Sequence, residues 1–241
     1  MKIVAIIQAR MTSTRLPGKV LKEVNGEPLL THMINRLKRS EKLNEIIVAT
    51  TLNETDNPIV EICHLLNIKT YRGSESNVLS RFYECATKAK ADVIVRLTSD
   101  CPVIDPEIVD EVIQYYLDTE SDYVSNSIEP TFPRGIDTEV FSMDSLEKAN
   151  NLGILDYERE HVTPYIYLHP EHFKLGNYSY HKDESSYRLT VDTIDDYNLI
   201  KWVIGSFKDN EYTLEDVLNL LKDNPLKAYS NSHVQQKKLG E

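Results

Sequence analysis

Positive charge is what this chain is shortest of. Its 27 lysines and arginines face 38 aspartates and glutamates, for a formal net charge of −11 at pH 7. A nucleic-acid binder ordinarily carries a basic stripe, and an anionic membrane surface asks for the same, so neither partner is expected. Cysteine is scarce as well. Cys63, Cys85 and Cys101 form no CxxC pair and no zinc spacing, and an odd unpaired set suits a reducing cytoplasm. With 8 glycines and 10 prolines there is no room for a long linker or a low-complexity tract. Long apolar runs are missing too: residues 3–7 are too few for a signal-peptide core or a membrane span and read as a buried strand. No internal repeat is visible. What is present is 241 residues, 41% of them hydrophobic, the size of one α/β domain with a sizeable core or of two small domains.

Strand-length apolar runs alternate with amphipathic stretches. Strands are predicted over 2–7, 45–50, 69–71 and 93–97. Helices are predicted over 28–39, from Asn57-Pro58 to about 66, over 78–90, and from the Asp105-Pro106 cap to 118. The first strand shows no polar alternation, as expected when both faces are buried. Such regular alternation implies a doubly wound, mainly parallel sheet. After residue 122 the pattern changes. Short strands are expected at 123–125, 137–141, 173–180 and 187–190, with a helix capped by Thr193 and a last helix over 214–221. Residues 225–241 read as weakly ordered, or ordered only against a partner.

The chemistry concentrates in the loop after the first strand, Gln8-Ala9-Arg10-Met11-Thr12-Ser13-Thr14-Arg15-Leu16-Pro17-Gly18-Lys19. In an open parallel sheet this loop lies at the carboxyl edge, where ligands bind. Triphosphate oxygens need donors from several directions, and guanidinium forks, an ammonium and backbone N–H groups supply them. It is not a Walker loop, since Val20 follows Gly18-Lys19 and no glycine lies five residues earlier; a GxGxxG is also absent. From these residues alone a solvated basic loop stands equally open.

Asp100 and Asp192 each sit where a predicted strand stops. If those strands are neighbours, both carboxylates overhang one sheet edge. Mg²⁺ favours one or two carboxylates together with phosphate oxygens and water. Helix capping is the alternative for each, although Asp105, Asp195 and Asp196 are better placed to cap. Arg134, Asp137 and Glu139 form a second polar group. His161 shares a helix face with Glu158, and a lone Glu-x-x-His of this kind lacks the second copy a di-iron site needs.

The loop sequence "IIQARMTSTRLPGKVL" resembles the signature of the CMP-sugar synthetases, the superfamily of the acylneuraminate and 3-deoxy-manno-octulosonate cytidylyltransferases. It is most similar to the branch of the spore coat polysaccharide biosynthesis protein F. The segments "YRGSESNVLSRFYECA", "IVRLTSDCPVIDP", "FPRGIDTEVFS", "EREHVTPYIY" and "YRLTVDTIDDY" resemble the same branch in the same order, so that the likeness runs from residue 3 to about 200. The resemblance implies a nucleotide-diphospho-sugar transferase fold and a homodimer. The change of pattern after residue 122 divides the chain into an expected nucleotide-binding half over 1–122, an acceptor-side half over 123–224 and a tail over 225–241. The implied reaction is Mg²⁺-dependent transfer of CMP from CTP to a sugar acid of the nonulosonic type, releasing pyrophosphate in the cytoplasm, for surface polysaccharide biosynthesis.

By that resemblance Gln8, Ala9, Arg10, Ser13, Arg15 and Lys19 line the nucleotide, with Arg15, Lys19 and Asp100 catalytic and Asp100 and Asp192 metal ligands. Arg72, Ser76, Arg81 and Thr98 complete the nucleotide side. Arg134, Asp137, Glu139 and His161 would meet the acceptor. Two departures stand out. Thr98 replaces the glutamine that the octulosonate enzymes carry two residues before the metal aspartate, and Asn77-Val78-Leu79-Ser80-Arg81 replaces their Gly-Thr-Asp-Arg stretch. A glycosyltransferase of the related A-type fold usually carries Asp-x-Asp where this chain has Asp100-Cys101-Pro102. A non-catalytic nucleotide-binding protein is the other alternative.

Overall fold

The computed structural model describes residues 1–237, 239 and 240. At its centre is β1 (Ile3–Gln8), an apolar run covered on both faces. A short hairpin, β2 (Glu23–Val24) and β3 (Glu27–Pro28), follows the first loop, and α1 (Leu29–Leu37) starts directly after Pro28. Then come β4 (Glu45–Thr51), α2 (Asn57–Leu65), β5 (Lys69–Gly73), α3 (Val78–Ala89), β6 (Val93–Thr98) and α4 (Pro106–Asp118). The second half supplies β7 (Tyr123–Ser125), β8 (Glu139–Ser142), α5 (Met143–Leu152), α6 (Asp156–His161) and α7 (Pro164–Tyr167). It ends with β9 (Leu175–Asn177), α8 (Ile194–Gly205), α9 (Leu214–Asp223) and α10 (Pro225–Ala228).

Seven strands form one sheet in the order β5-β4-β1-β6-β8-β7-β9. The first four are parallel, β8 runs antiparallel to β6 and β7, and β9 is parallel to β7. The mainly parallel α/β sheet is therefore present. Alternation along β1 divides the interior in two. Ile3, Ala5 and Ile7 pack with residues of α1, α4, α8 and α9, whereas Val4 and Ile6 pack with α3 and α5. Each fully buried isoleucine here contributes about 2 kcal/mol relative to an exposed one. After β1 the chain passes to β4 and β5 on one side and returns to β6 on the other. The loops after β1 and β6 therefore diverge and leave a crevice at the carboxyl edge.

The second half departs from expectation in three places. The predicted strand over 187–190 is a single parallel bridge between Arg134 and Arg188. Its neighbours bond elsewhere, Val191 N donating to Asp100 O at 2.8 Å, so no ladder can extend. The strand expected over 137–141 begins only at Glu139, because the Asn126 side chain takes the ladder's place, bonding Ile136 O and Thr138 N. The strand expected over 173–180 shortens to β9, since Tyr180 N turns away to Thr131 Oγ1.

The tail is also corrected. Ala228 and Asn231 are buried, and Tyr229 stacks on Tyr187 at 5.4 Å. Asn231 Nδ2 donates to Arg188 O and to Asp196 Oδ1 at 3.1 and 2.8 Å. These contacts hold the segment onto its own chain; Lys238 and Glu241 lie outside the described residues.

Candidate functional site

A carboxylate buried beneath the first loop fixes its shape. Asp56, 1% exposed, accepts from Met11 N at 2.8 Å, Thr50 Oγ1 at 2.9 Å, and both Thr51 N and Thr51 Oγ1. Burial opposes its charge, but these donors outweigh it and hold the carboxyl below its ordinary value. Gly18, at φ +68°, closes the loop by donating to Met11 O, and Lys19 opens the short 3₁₀ turn that follows.

That turn sends Lys19 inward. Its ammonium donates to Asp100 Oδ2 at 2.9 Å, Asp192 Oδ1 at 2.9 Å and Val191 O at 2.7 Å. Asp100 follows β6, and its carbonyl accepts from Val191 N and Thr190 Oγ1, which draws the segment carrying Asp192 alongside it. Burial would lower the lysine's pKa, but the two aspartates more than reverse this and raise it. Burial likewise opposes Asp100, and Lys19 holds it below the ordinary carboxylate range. Asp192 Oδ2 also meets Arg15 at 2.9 Å and Arg188 at 2.7 Å. Arg188 reaches on to Asp196, which closes the capping box of α8 with Thr193. Because Asp196 fills that box and Asp105 caps α4, neither Asp100 nor Asp192 is needed as a cap.

The crevice above this cluster has a volume of about 620 Å³. Gln8, Ala9, Arg10, Ser13, Arg15, Lys19, Arg81, Thr98, Asp100, Arg134, Asp137, Glu139, His161 and Asp192 all line it. Residues as far apart as Gln8 and Asp192, 184 positions in sequence, are thus brought into one cavity by the sheet. Arg72 and Ser76 do not line it. Arg72 instead clamps the β4–α2 connection through Thr51 O, Asn53 O and Asn57 Oδ1, and Ser76 stands exposed on the surface.

On the β8 side Glu139 is the hub. It accepts from Arg96, from Tyr123 OH at 2.9 Å and from Thr163 Oγ1 at 2.5 Å. Asp137 accepts from Gly135 N, and burial pushes its pKa up despite Arg134 nearby. Burial also pushes His161 below the ordinary imidazole range, so its ring is neutral at pH 7. Burial raises the Cys101 thiol well above its usual range and leaves no thiolate nucleophile there. Arg96, Thr163, Glu160, Gln236, Lys237 and Leu239 also line the crevice and went unread in the sequence. Arg96 carried a signal, as the lone charge within the apolar run of β6. The tail residues carried none.

Among the described residues no cluster of three or more His, Cys, Asp or Glu could cage a metal. Asp100 and Asp192 each place one oxygen 2.9 Å from the Lys19 ammonium, which lies between them, so a metal ion held by both carboxylates would take the place of that ammonium. That donor set suits an ion that takes its other ligands from phosphate and water. No helix of the described residues is long and apolar enough to cross a membrane.

The sequence profile of the cytidylyltransferase family matches residues 4–232. Spore coat polysaccharide biosynthesis protein SpsF of Bacillus subtilis is 36% identical over 233 residues, spanning 92% of this chain and 95% of that protein. A 3-deoxy-manno-octulosonate cytidylyltransferase of Geobacter metallireducens is 36% identical over 115 residues, 47% of this chain and 44% of that one. The solved structure of a cytidylyltransferase from Leptospira borgpetersenii superposes with a TM-score of 0.92 at 36% identity, covering 99% of this chain and all of the other. With its nucleotide-diphospho-sugar transferase fold, the chain belongs to the cytidylyltransferase family, on the SpsF-like branch of the CMP-sugar enzymes, and is a nucleotidyltransferase.

Proposed function

We propose that this enzyme transfers CMP from CTP to a hydroxyl of a sugar acid and releases pyrophosphate. The observation that carries the reading is the convergence of Arg15, Lys19, Asp100 and Asp192 within hydrogen-bonding distance at the floor of one crevice. Asp100 and Asp192 would hold Mg²⁺, which when bound would supply charge neutralisation at the phosphate oxygens. Arg10, Ser13 and Arg15 line the adjoining loop and would bind the triphosphate. Lys19 is protonated at neutral pH and balances the charge of the departing pyrophosphate.

The acceptor oxygen forms a new bond to the α-phosphorus as the bridging bond to the β-phosphate breaks, and its proton leaves to a base or to water. Positioning and electrostatics dominate such a transfer. Arg134, Asp137, Glu139 and His161 form the wall on which the acceptor would lie, with Arg134 offered to its carboxylate. The octulosonate cytidylyltransferase relative supports a sugar acid, and the SpsF relative supports a product destined for surface polysaccharide. We further read the enzyme as a cytoplasmic homodimer, the former supported by three free cysteines and no disulfide.

Pyrophosphate release, measured across four nucleoside triphosphates and a panel of sugar acids with and without Mg²⁺, tests the reading. CTP with a nonulosonic acid should give the signal, and Asp100→Asn should reduce turnover by at least about a hundredfold. Full activity in Asp100→Asn would remove that aspartate from the chemistry.

A further inference from the structure

The C-terminal segment crosses the crevice at Arg15 and Arg188, the residues that hold Asp192. Arg15 places one nitrogen 2.9 Å from Asp192 and another 3.4 Å from Gln235 O. Arg188 donates from Nη2 to Asp192 Oδ2 at 2.7 Å and from Nη1 to Gln236 Oε1 at 2.9 Å. Upstream, buried Asn231 and a His233–Asp195 contact at 3.1 Å fix where the segment leaves the body of the protein. Gln236, Lys237 and Leu239 then line the same crevice as Lys19 and Asp100.

Charge explains why that position matters. At the floor, Lys19, Arg15 and Arg188 are matched by Asp100, Asp192 and Asp196. A bound triphosphate carries several further negative charges, so cations beyond those already paired at the floor are needed to balance it. Among the described residues of the crevice, Arg81, Arg134 and Lys237 are the cations without a carboxylate within 4.0 Å. Arg81 is 2% exposed and committed to Ser74 O. Of the three, only Lys237 belongs to a segment seated on Arg15 and Arg188.

We propose that Gln235, Gln236, Lys237 and Leu239 form the roof of the nucleotide site and that Lys237 binds the β- and γ-phosphates of the nucleotide. This rests on the nucleotide reading above. A flexible ammonium on a chain segment, rather than on the rigid sheet edge, can follow phosphates whose bonding changes during the transfer. The tail is then part of the binding machinery, and the phosphate end of the site is incomplete without it.

Binding titrations of the full chain with CTP, CMP and inorganic pyrophosphate test the proposal. Lys237→Ala should weaken CTP and pyrophosphate about tenfold and leave CMP, which lacks those phosphates, within about twofold. Lys237→Arg should restore most of the loss, and Lys227→Ala, on the outside of α10, should change nothing. Lys237 is exposed, so the variants should fold like the parent, which unfolding curves would verify. Unchanged CTP and pyrophosphate affinity in Lys237→Ala, with the parent protein binding both, would overturn the roof. A parent protein that binds pyrophosphate but not CTP would sink the nucleotide reading instead, and the pyrophosphate arm would still decide for or against Lys237.

Discussion

Replacing Lys19 by Met keeps the aliphatic stem and deletes the ammonium, and the structure says what that leaves behind. Lys19 is 9% exposed, and its three acceptors lie at 2.7–2.9 Å. Without it Asp192 keeps Arg15 and Arg188, whereas Asp100 keeps no cation among the described residues. Breaking a buried pair by removing one partner typically costs about 3–5 kcal/mol. The Asp100 side chain is 23% exposed, so the low end applies, about 3 kcal/mol. In a chain of this size that lowers Tm by about 6–12 °C.

The pH dependence gives an independent check. Lys19 has a raised pKa, so its contribution is present below its ordinary value of 10.5 and is lost as pH rises through the folded value. Asp100 is depressed, so its contribution is present above its ordinary value of 3.8 and is lost as pH falls through the folded value. The gap in stability between parent and variant should therefore be widest between about pH 4 and pH 10 and narrow on either side. Adding Asp100→Asn to Lys19→Met removes the stranded charge, so the double variant should lose less than the sum, with a coupling of about 1–2 kcal/mol. Thermal and urea unfolding from about pH 2 to about pH 12 are the assays. A Tm within about 2 °C of the parent together with additive double-variant energies would refute the account.

Two further predictions concern the scaffold. Asp56→Ala leaves the Met11 N–H and the Thr50 and Thr51 donors unpaired beneath the loop, and should cost about 2–3 kcal/mol in urea unfolding while raising the KM for nucleotide more than it lowers kcat. Since Asp56 is depressed, that stability is present above its ordinary value of 3.8 and disappears in acid, where parent and variant should converge. Gly135→Ala should be worse than an ordinary loop substitution. At φ +106° an added Cβ would meet Leu189 C at 2.5 Å and Thr190 N at 2.6 Å, so the 188–192 segment must move and carry Asp192 with it. Loss of nucleotide binding in that variant, with Asp192 untouched, is the expected result in a thermal-shift titration.

The first half was legible because its signals are local. A double-faced apolar run, Pro at the helix starts and regular alternation dictate a parallel sheet, and the loop after β1 of such a sheet must sit at its carboxyl edge. The cationic composition of that loop and the strand-end position of Asp100 could be read directly, whereas the strand expected before Asp192 is only the Arg134–Arg188 bridge. Much else depended on long-range pairing. The bridge between Arg134 and Arg188, the Asn126 substitute for a ladder, and the Asn231 anchor each join segments whose own sequences do not specify the partner. Arg72 shows the same limit from the other side: its charge is in the right segment, yet three oxygen acceptors of the β4–α2 connection draw it away from the crevice. A sequence determines which side chains can bind phosphate. Which of them are left free to do so, and that the tail returns across the crevice, is decided only when the folded chain has paired most of its buried donors with acceptors.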